Sequence, residues 1–318
     1  MKLILTGSIA YDYLMSFPGK FSEHLLPEKL DAISVSFLVE EMRKEPGGCA
    51  ANIAYSLALL GESPVLFGAV GKDFCDYRAA LEAVGVDTSG VHVFQEAFTS
   101  SFFANTDQDG NQICSFYSGA MAFSKNISLK PFVEPTESLV LISPNDPAAM
   151  VKYVEECQET ETPYIWDPSQ QIIRLSGDEL QKGADGAKML LVNEYELEMF
   201  QKKTSLTEKD ILELTETLIV TLGDKGAVIK TNGTEYQIPV ATPKHILDPT
   251  GVGDAFRSGL LKGITAQCSW EVAGRMGSLA AAYVLETQGP QSHQYTISEF
   301  IKRYEQQFNS EPELEKVK

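Results

Sequence analysis

The chain runs to 318 residues with 43% hydrophobic content and a formal charge of −18, from 44 acidic against 26 basic side chains. That length and apolar share suit one sizeable α/β domain with an appendage, or two modest domains, and exclude a bare binding peptide. The negative charge, with no concentrated basic patch to offset it, argues against nucleic acid and anionic membranes as partners, but not against a phosphorylated small molecule, which backbone amides can neutralise locally.

Residues 3–6 form a short apolar run after Lys2 that soon meets Asp12, the pattern of a first strand rather than of a signal peptide. Residues 11–45 then break the rhythm with polar, alternating sequence. After Pro46-Gly47-Gly48, the residues Ile53, Leu57 and Leu60 fall on one helical face, alanines fill the neighbouring faces, and Gly61 supplies a stop. Further β-type runs at 65–69, 139–142, 164–166, 189–192 and 218–221, with helix-like segments between most of them, predict a largely parallel sheet covered on both sides. Within 94–122, the stretches 99–105 and 112–117 flank Asp107-Gln108-Asp109-Gly110 as a hairpin.

This hairpin and residues 11–45 are expected to form a small β-sheet lid over a main domain made of 1–10, 46–93 and 123–308. A second hairpin, 227–230 with 235–238 around Asn232-Gly233, belongs at the edge of the main sheet. An amphipathic helix carrying Phe300, Ile301, Tyr304 and Phe308 follows, and the charged stretch 309–318 is expected to fray as a flexible tail. No apolar run approaches the roughly 20 residues of a membrane helix. The five cysteines never form a Cys-x-x-Cys pair, which indicates neither a disulfide framework nor zinc and fits a reducing cytoplasm.

Chemistry concentrates in Asp248-Pro249-Thr250-Gly251-Val252-Gly253-Asp254, ahead of a predicted helix over 255–263. The glycines permit close backbone approach, amides at the helix start would face an anion, and Asp254 would lie where a carboxylate can take a proton from a hydroxyl attacking a phosphate. Alone, the pattern reads more readily as a glycine-containing turn with an Asp cap. No Walker loop ends in Gly-Lys-Ser/Thr, and the third glycine of a dinucleotide fingerprint is missing. Four other stretches stand beside it: Gly7-Ser8-Ile9-Ala10-Tyr11-Asp12, Gly47-Gly48-Cys49-Ala50-Ala51-Asn52, Asn193-Glu194-Tyr195-Glu196, and Thr221-Leu222-Gly223-Asp224-Lys225-Gly226.

Taken in order, these five stretches span nearly the whole chain and resemble the motifs of the ribokinase-like (PfkB) sugar and nucleoside kinases. Asp248, Gly251, Gly253, Asp254, Phe256 and Gly259 match the family's C-terminal motif, while Val252 replaces a usual small residue and Pro249 a usual threonine. The resemblance implies a three-layer αβα domain with a mainly parallel central sheet and a small β-sheet lid. It implies ATP as co-substrate, Asp254 as general base, and an anion hole from Gly251, Val252 and Gly253. Asp12, Gly47, Gly48, Asn52 and Phe103 would hold the acceptor, with Phe37 and Phe102 as second-rank candidates. Asn193, Thr221, Gly223, Gly226 and His293 would meet the nucleotide, and Glu196 with Asn193 would organise Mg2+ through water. Arg257 is a second-rank phosphate contact or a packing residue, and Asp248 and Thr250 mark where K+ could activate.

The lid stretches, rich in aromatic and amide groups, together with Asp167-Pro168-Ser169-Gln170-Gln171, look more like prokaryotic adenosine or nucleoside kinases than ribokinase or fructokinase. The implied reaction is phosphorylation of a nucleoside 5′-hydroxyl, adenosine to AMP, a step of purine salvage in the cytoplasm. A sugar kinase and a non-catalytic nucleoside sensor stand as alternatives, and both a monomer and a lid-mediated homodimer are open.

Overall fold

The computed structural model describes residues 1–25, 31–32 and 34–318, so residues 26–30 and 33 of the first polar stretch lie outside the described residues. In chain order the N-terminal half gives β1 (Lys2–Thr6), β2 (Ala10–Ser16), α1 (Phe21–His24), β3 (Glu41–Gly47), α2 (Cys49–Leu59), β4 (Val65–Gly71), α3 (Cys75–Ala83), β5 (Asp87–Phe94), β6 (Ser100–Thr106) and β7 (Gln112–Tyr117). There follow β8 (Ser138–Ile142), α4 (Pro147–Glu159), β9 (Tyr164–Trp166), α5 (Gly177–Ala184), β10 (Met189–Asn193), α6 (Glu194–Thr204), α7 (Glu208–Leu214) and β11 (Thr217–Thr221). The chain closes with β12 (Ala227–Thr231), β13 (Thr234–Ile238), α8 (Val252–Thr265), α9 (Trp270–Leu285) and α10 (Ile297–Phe308).

Among the described residues nine strands form one sheet in the order β13-β12-β11-β10-β9-β8-β1-β4-β5. All neighbours pair in parallel except β11 with β12 and β12 with β13, the edge hairpin expected from Asn232-Gly233. Successive strand residues point to opposite faces, so Leu3 and Leu5 join Leu141, Leu191 and Ile219 beneath α2, α3 and α8. Ile4 instead joins Val140, Leu190 and Leu218 beneath α4 to α7. Both faces are therefore apolar, which is why these runs are continuous rather than alternating. This is the expected three-layer arrangement.

A second sheet of four strands, β3-β2-β6-β7, stands apart from it. It leaves the main sheet directly, since β2 follows β1 through Gly7-Ser8-Ile9 and β3 runs into α2 through Gly48. The two crossings touch: Cys49 N–H donates to Ser8 Oγ at 2.9 Å and Ala50 N–H to Ser8 O at 3.2 Å. Gly48 has φ +95°, and a Cβ on it would lie 2.6 Å from the Ser8 carbonyl oxygen, so only glycine fits this contact. Helices α8 and α9 approach just as closely, with Gly259 against the Met276 backbone and Gly263 so near that a Cβ would sit 2.5 Å from Ala273 Cα.

The tail behaves otherwise than its charge suggests. Residues 309–318 do not fray: Leu314 and Val317, spaced by one turn of a short 3-10 segment (Pro312–Lys316), are buried against α9 and α10. Glu313 accepts from Ser269 N–H at 2.7 Å and Glu311 pairs with Arg275. Burial of two apolar side chains, each worth about 1.5–3 kcal/mol, and the pairing of the acidic groups offset part of the entropy lost in ordering this end. No described helix is long and apolar enough to cross a membrane.

Candidate active site

Helix α8 starts at Val252, inside the glycine-rich stretch and three residues earlier than the expected 255. Gly251 precedes it with φ +80°, and a Cβ there would meet Pro290 Cβ at 2.5 Å, so the turn needs glycine for both conformation and space. Asp248 staples the turn, its Oδ1 accepting from Thr250 N–H and its Oδ2 from Gly289 N–H, each at 2.9 Å. Burial opposes its charge, but these bonds hold its carboxyl below the usual range. Residues 249–254, including the first turn of α8, line the cleft, and the N–H groups of a helix start are the kind of donors an anion takes.

Asp254 lies in that turn. Asn52 Nδ2 on α2 donates to its Oδ2 at 2.9 Å. Burial pushes its carboxyl up to about 6, against the pull of Arg257 and the Asn52 bond, with Asp167 adding a further upward push. Asp12, on β2, is likewise pushed up to about 6, by burial and then by Glu45, Asp254 and Asp248. Its carboxylate occupies space that Gly47 leaves open: a Cβ on Gly47 would lie 2.5 Å from Asp12 Oδ2. The glycine pair therefore seats one carboxylate and lets the two sheet crossings meet. Asn52, expected to grip a sugar hydroxyl, spends most of its capacity elsewhere, since its Oδ1 accepts from Gln291 at 2.8 Å and one Nδ2 hydrogen serves Asp254.

Arg257, one turn further along α8, makes a bidentate pair with Asp167 at the end of β9, Nε to Oδ2 at 2.5 Å and NH2 to Oδ1 at 2.7 Å. Both are buried. Burial works against the guanidinium's charge, but Asp167 more than offsets it, while burial keeps the Asp167 carboxyl above its usual range despite the arginine. Its NH1 faces Gly253, at 2.9 Å from where a Cβ would be.

Asn193 and Glu196 form a reciprocal cap at the start of α6, Glu196 N–H to Asn193 Oδ1 and Asn193 N–H to Glu196 Oε2, both 2.8 Å. Burial raises the Glu196 carboxyl, against the bond from Asn193. Among the described residues no three His, Cys, Asp or Glu side chains gather as a metal cage. Glu196 lines the cleft and offers the hard oxygen that Mg2+ takes, and Asn193, whose Oδ1 accepts from the Glu196 N–H, lines it beside Glu196.

A cleft of about 580 Å³ unites these parts: Asp12, Gly48, Asn52, Asn193, Glu196, Thr221, residues 249–254 and Arg257 all line it. Cys49, Phe116, Met121, Gln170 and Gln171 line it too; no motif singled them out individually, although the lid and 167–171 stretches contain most of them. An adjoining cavity shares Asp12, Phe102 and Thr250 and adds Asp248. A roomier groove of about 800 Å³ beside Tyr283, Tyr295 and Arg303 holds none of the motif residues, so volume alone does not mark the chemistry.

Several expected site residues lie elsewhere. On β6 the side chains alternate, so Phe102 lines the cleft while Phe103 faces away and stacks on Tyr13 at 4.8 Å. Phe102→Ala is accordingly expected to raise the acceptor KM by about 10-fold, the worth of a stacked ring, and Phe103→Ala to leave it within about 2-fold; steady-state kinetics on the two variants checks the assignment. Phe37 packs in the lid's own cluster with Phe17, Phe21 and His24. His293 is buried behind α2, with Nε2 3.1 Å from Ser56 Oγ, and burial pushes its pKa down to about 4, so it stays neutral and braces α2 instead of meeting a nucleotide. Gly223 and Gly226 shape the turn from β11 to β12 with positive φ, and Gly226 abuts the Ile238 carbonyl; neither lines the cleft.

A profile of pfkB family carbohydrate kinases matches residues 21–296. A nucleoside kinase of Methanothermobacter thermautotrophicus is 28% identical over 315 residues, covering 98% of each chain. The Burkholderia thailandensis nucleoside kinase, solved in complex with inosine, superposes with a TM-score of 0.85 at 37% identity, covering 98% of this chain and 99% of that one. The same enzyme in complex with ADP-inosine gives 0.84 at 38%, covering 98% and 97%. The Methanocaldococcus jannaschii nucleoside kinase gives 0.86 at 28%, covering 96% and 99%.

Proposed function

The chain belongs to the pfkB family of carbohydrate kinases, and from that premise we propose that it transfers the γ-phosphoryl group of ATP to the 5′-hydroxyl of a nucleoside, adenosine foremost. One observation carries the reading: in a single cleft, Asp254 sits in the amide-rich first turn of α8, facing the lid's Asp12 and Phe102.

The reaction forms a bond between the 5′-oxygen and the γ-phosphorus and breaks the bond to the bridging oxygen, which leaves on ADP with its electron pair. Asp254 takes the hydroxyl proton. The amides of Gly251, Val252 and Gly253 stabilise charge on the transferring group, and Arg257, held by Asp167, adds a fixed positive charge beside them. Asp12, with two acceptor oxygens, suits a ribose diol, while Phe102, Phe116 and Met121 offer an apolar wall to a base. Glu196, positioned by Asn193, would hold Mg2+ through water, and the ion would neutralise the phosphates. Support for a nucleoside over a free sugar comes from the relatives bearing that activity and from the inosine held by the Burkholderia enzyme.

The test is a turnover panel with ATP and Mg2+, with and without K+, offering adenosine, inosine, guanosine, cytidine, ribose and fructose. Purine nucleosides are expected to exceed the sugars by at least about 100-fold in kcat/KM, a few kcal/mol of discrimination by contacts to the base. Transfer to sugars alone would overturn the nucleoside reading, and transfer to nothing the enzyme reading.

A further inference from the structure

Asp254 is at the end of a directed chain of hydrogen bonds that begins at the lid hinge. The Gly47 carbonyl can only accept, so the Tyr77 hydroxyl must donate to it, at 3.0 Å. That hydroxyl is then free to accept, and it does so from Gln291 Nε2 at 2.5 Å. The same Nε2 donates to Asn52 Oδ1 at 2.8 Å. With its oxygen turned toward Gln291, Asn52 directs Nδ2 at Asp254 Oδ2, 2.9 Å away. Each amide orientation thus follows from its predecessor, and the first is fixed by a group with no choice.

We propose that Gln291 is a positioning residue for phosphoryl transfer, holding the Asn52 amide so that its NH2 end faces Asp254. The inference rests on the reading of Asp254 as the base. Reversed, the Asn52 amide would set its oxygen against a carboxylate oxygen and its NH2 against the NH2 of Gln291, losing two bonds and adding repulsion. Gln291 is itself well fastened. Gly289 N–H is bonded to Asp248, Pro290 is packed on Gly251, and the Tyr55 hydroxyl donates to the His293 carbonyl at 3.0 Å. The loop therefore reaches the lid hinge through Tyr77, the start of α8 through Asp248 and Gly251, and Asp254 through Asn52.

The consequence is electrostatic. The Asn52 bond is one of the influences that offset burial at Asp254, and the charged or titratable groups around it are Arg257 on its own helix, Asp167 behind that arginine, Cys49 on α2, Asp12 on β2 and Tyr77 on α3. Those groups are unchanged when Gln291 is replaced by Met, so a shift in the ionisation of Asp254 in that variant would report on the amide chain.

The experiment is the pH dependence of kcat/KM between about 5 and 9 for the intact enzyme and three variants, Gln291→Met, Gln291→Glu and Asp254→Asn, with the best acceptor of the panel. The wild-type acidic limb is expected near 6, the value to which burial brings Asp254. Gln291→Met, which keeps the volume but donates nothing, should move that limb up by about one unit. This reads as about 5-fold lower kcat/KM at pH 6 that recovers to within about 2-fold at pH 8.5, with the KM for ATP little changed. Gln291→Glu should shift it further in the same direction, because its carboxylate attracts Asn52 Nδ2 away from Asp254. A wild-type limb in both Gln291 variants, or a loss equal at every pH, would overturn the inference while an inactive Asp254→Asn variant left the base in place. Substantial turnover by Asp254→Asn would overturn both.

Discussion

Asp254→Asn is expected to lower kcat by about 1,000-fold, the scale of a lost general base, with little change in the KM for ATP. The amide has nearly the carboxylate's shape and still offers an oxygen to Asn52 Nδ2, so the α8 turn and its anion-binding amides have no reason to move. What disappears is the capacity to take a proton. The same substitution should leave the melting temperature at pH 7.5 unchanged or raised, and the sign follows from linkage. Burial raises the Asp254 pKa from 3.8 to about 6. Between those values the folded state therefore binds more protons than the unfolded one, and this group's contribution to stability falls as pH rises through the window. At pH 7.5 the ionised carboxylate is a cost that asparagine removes. Steady-state kinetics with a thermal melt reads both outcomes; near-normal turnover would remove Asp254 from its role.

Asp167→Ala carries the second large expectation, and here stability and rate should fall together. It strips the partner from a buried guanidinium, a change that costs about 3–5 kcal/mol because an unpaired charge remains in a poorly solvated place. Arg257 would be free to turn toward Asp254 or Glu196, the other acidic groups that influence it, and kcat should drop by at least about 100-fold as the helix start loses its order. A double variant, Asp167→Leu with Arg257→Met, separates the two effects. Filling the same space with apolar side chains should restore most of the melting temperature, as buried ion pairs can often be replaced without loss, while the rate stays low because no cation faces the anion-binding turn. A single variant with wild-type melting and turnover would show the pair to be dispensable.

The sheet was legible because its strands are short apolar runs separated by helical periodicity, and every run at 65–69, 139–142, 164–166, 189–192 and 218–221 lies within an observed strand. The glycine-rich turn was legible because its conformation demands particular residues. Parity was not: Phe102 and Phe103 are equivalent as text, and only the pairing of β6 with β2 and β7 decides which one enters the cleft. His293 misled for a different reason, since a histidine near a nucleotide-binding region and one bracing a helix have the same local sequence. Gln291 gave no signal at all. Its partner Asn52 is 239 positions away, and an amide in a loop acquires meaning only when the chain returns to it. The tail was misread because charge density masked Leu314 and Val317.

Strand β1 lies between β4 and β8, pairing with both in parallel. During synthesis, which proceeds from the N-terminus, the earliest of these three strands is thus enclosed late: one side waits for β4 and the other for residues 138–142. For more than a hundred residues of elongation an apolar strand has an unsatisfied edge, the situation in which nascent chains stick to one another or require a chaperone. Slowing translation between β4 and β8 should therefore reduce the yield of this protein more than slowing it after β11.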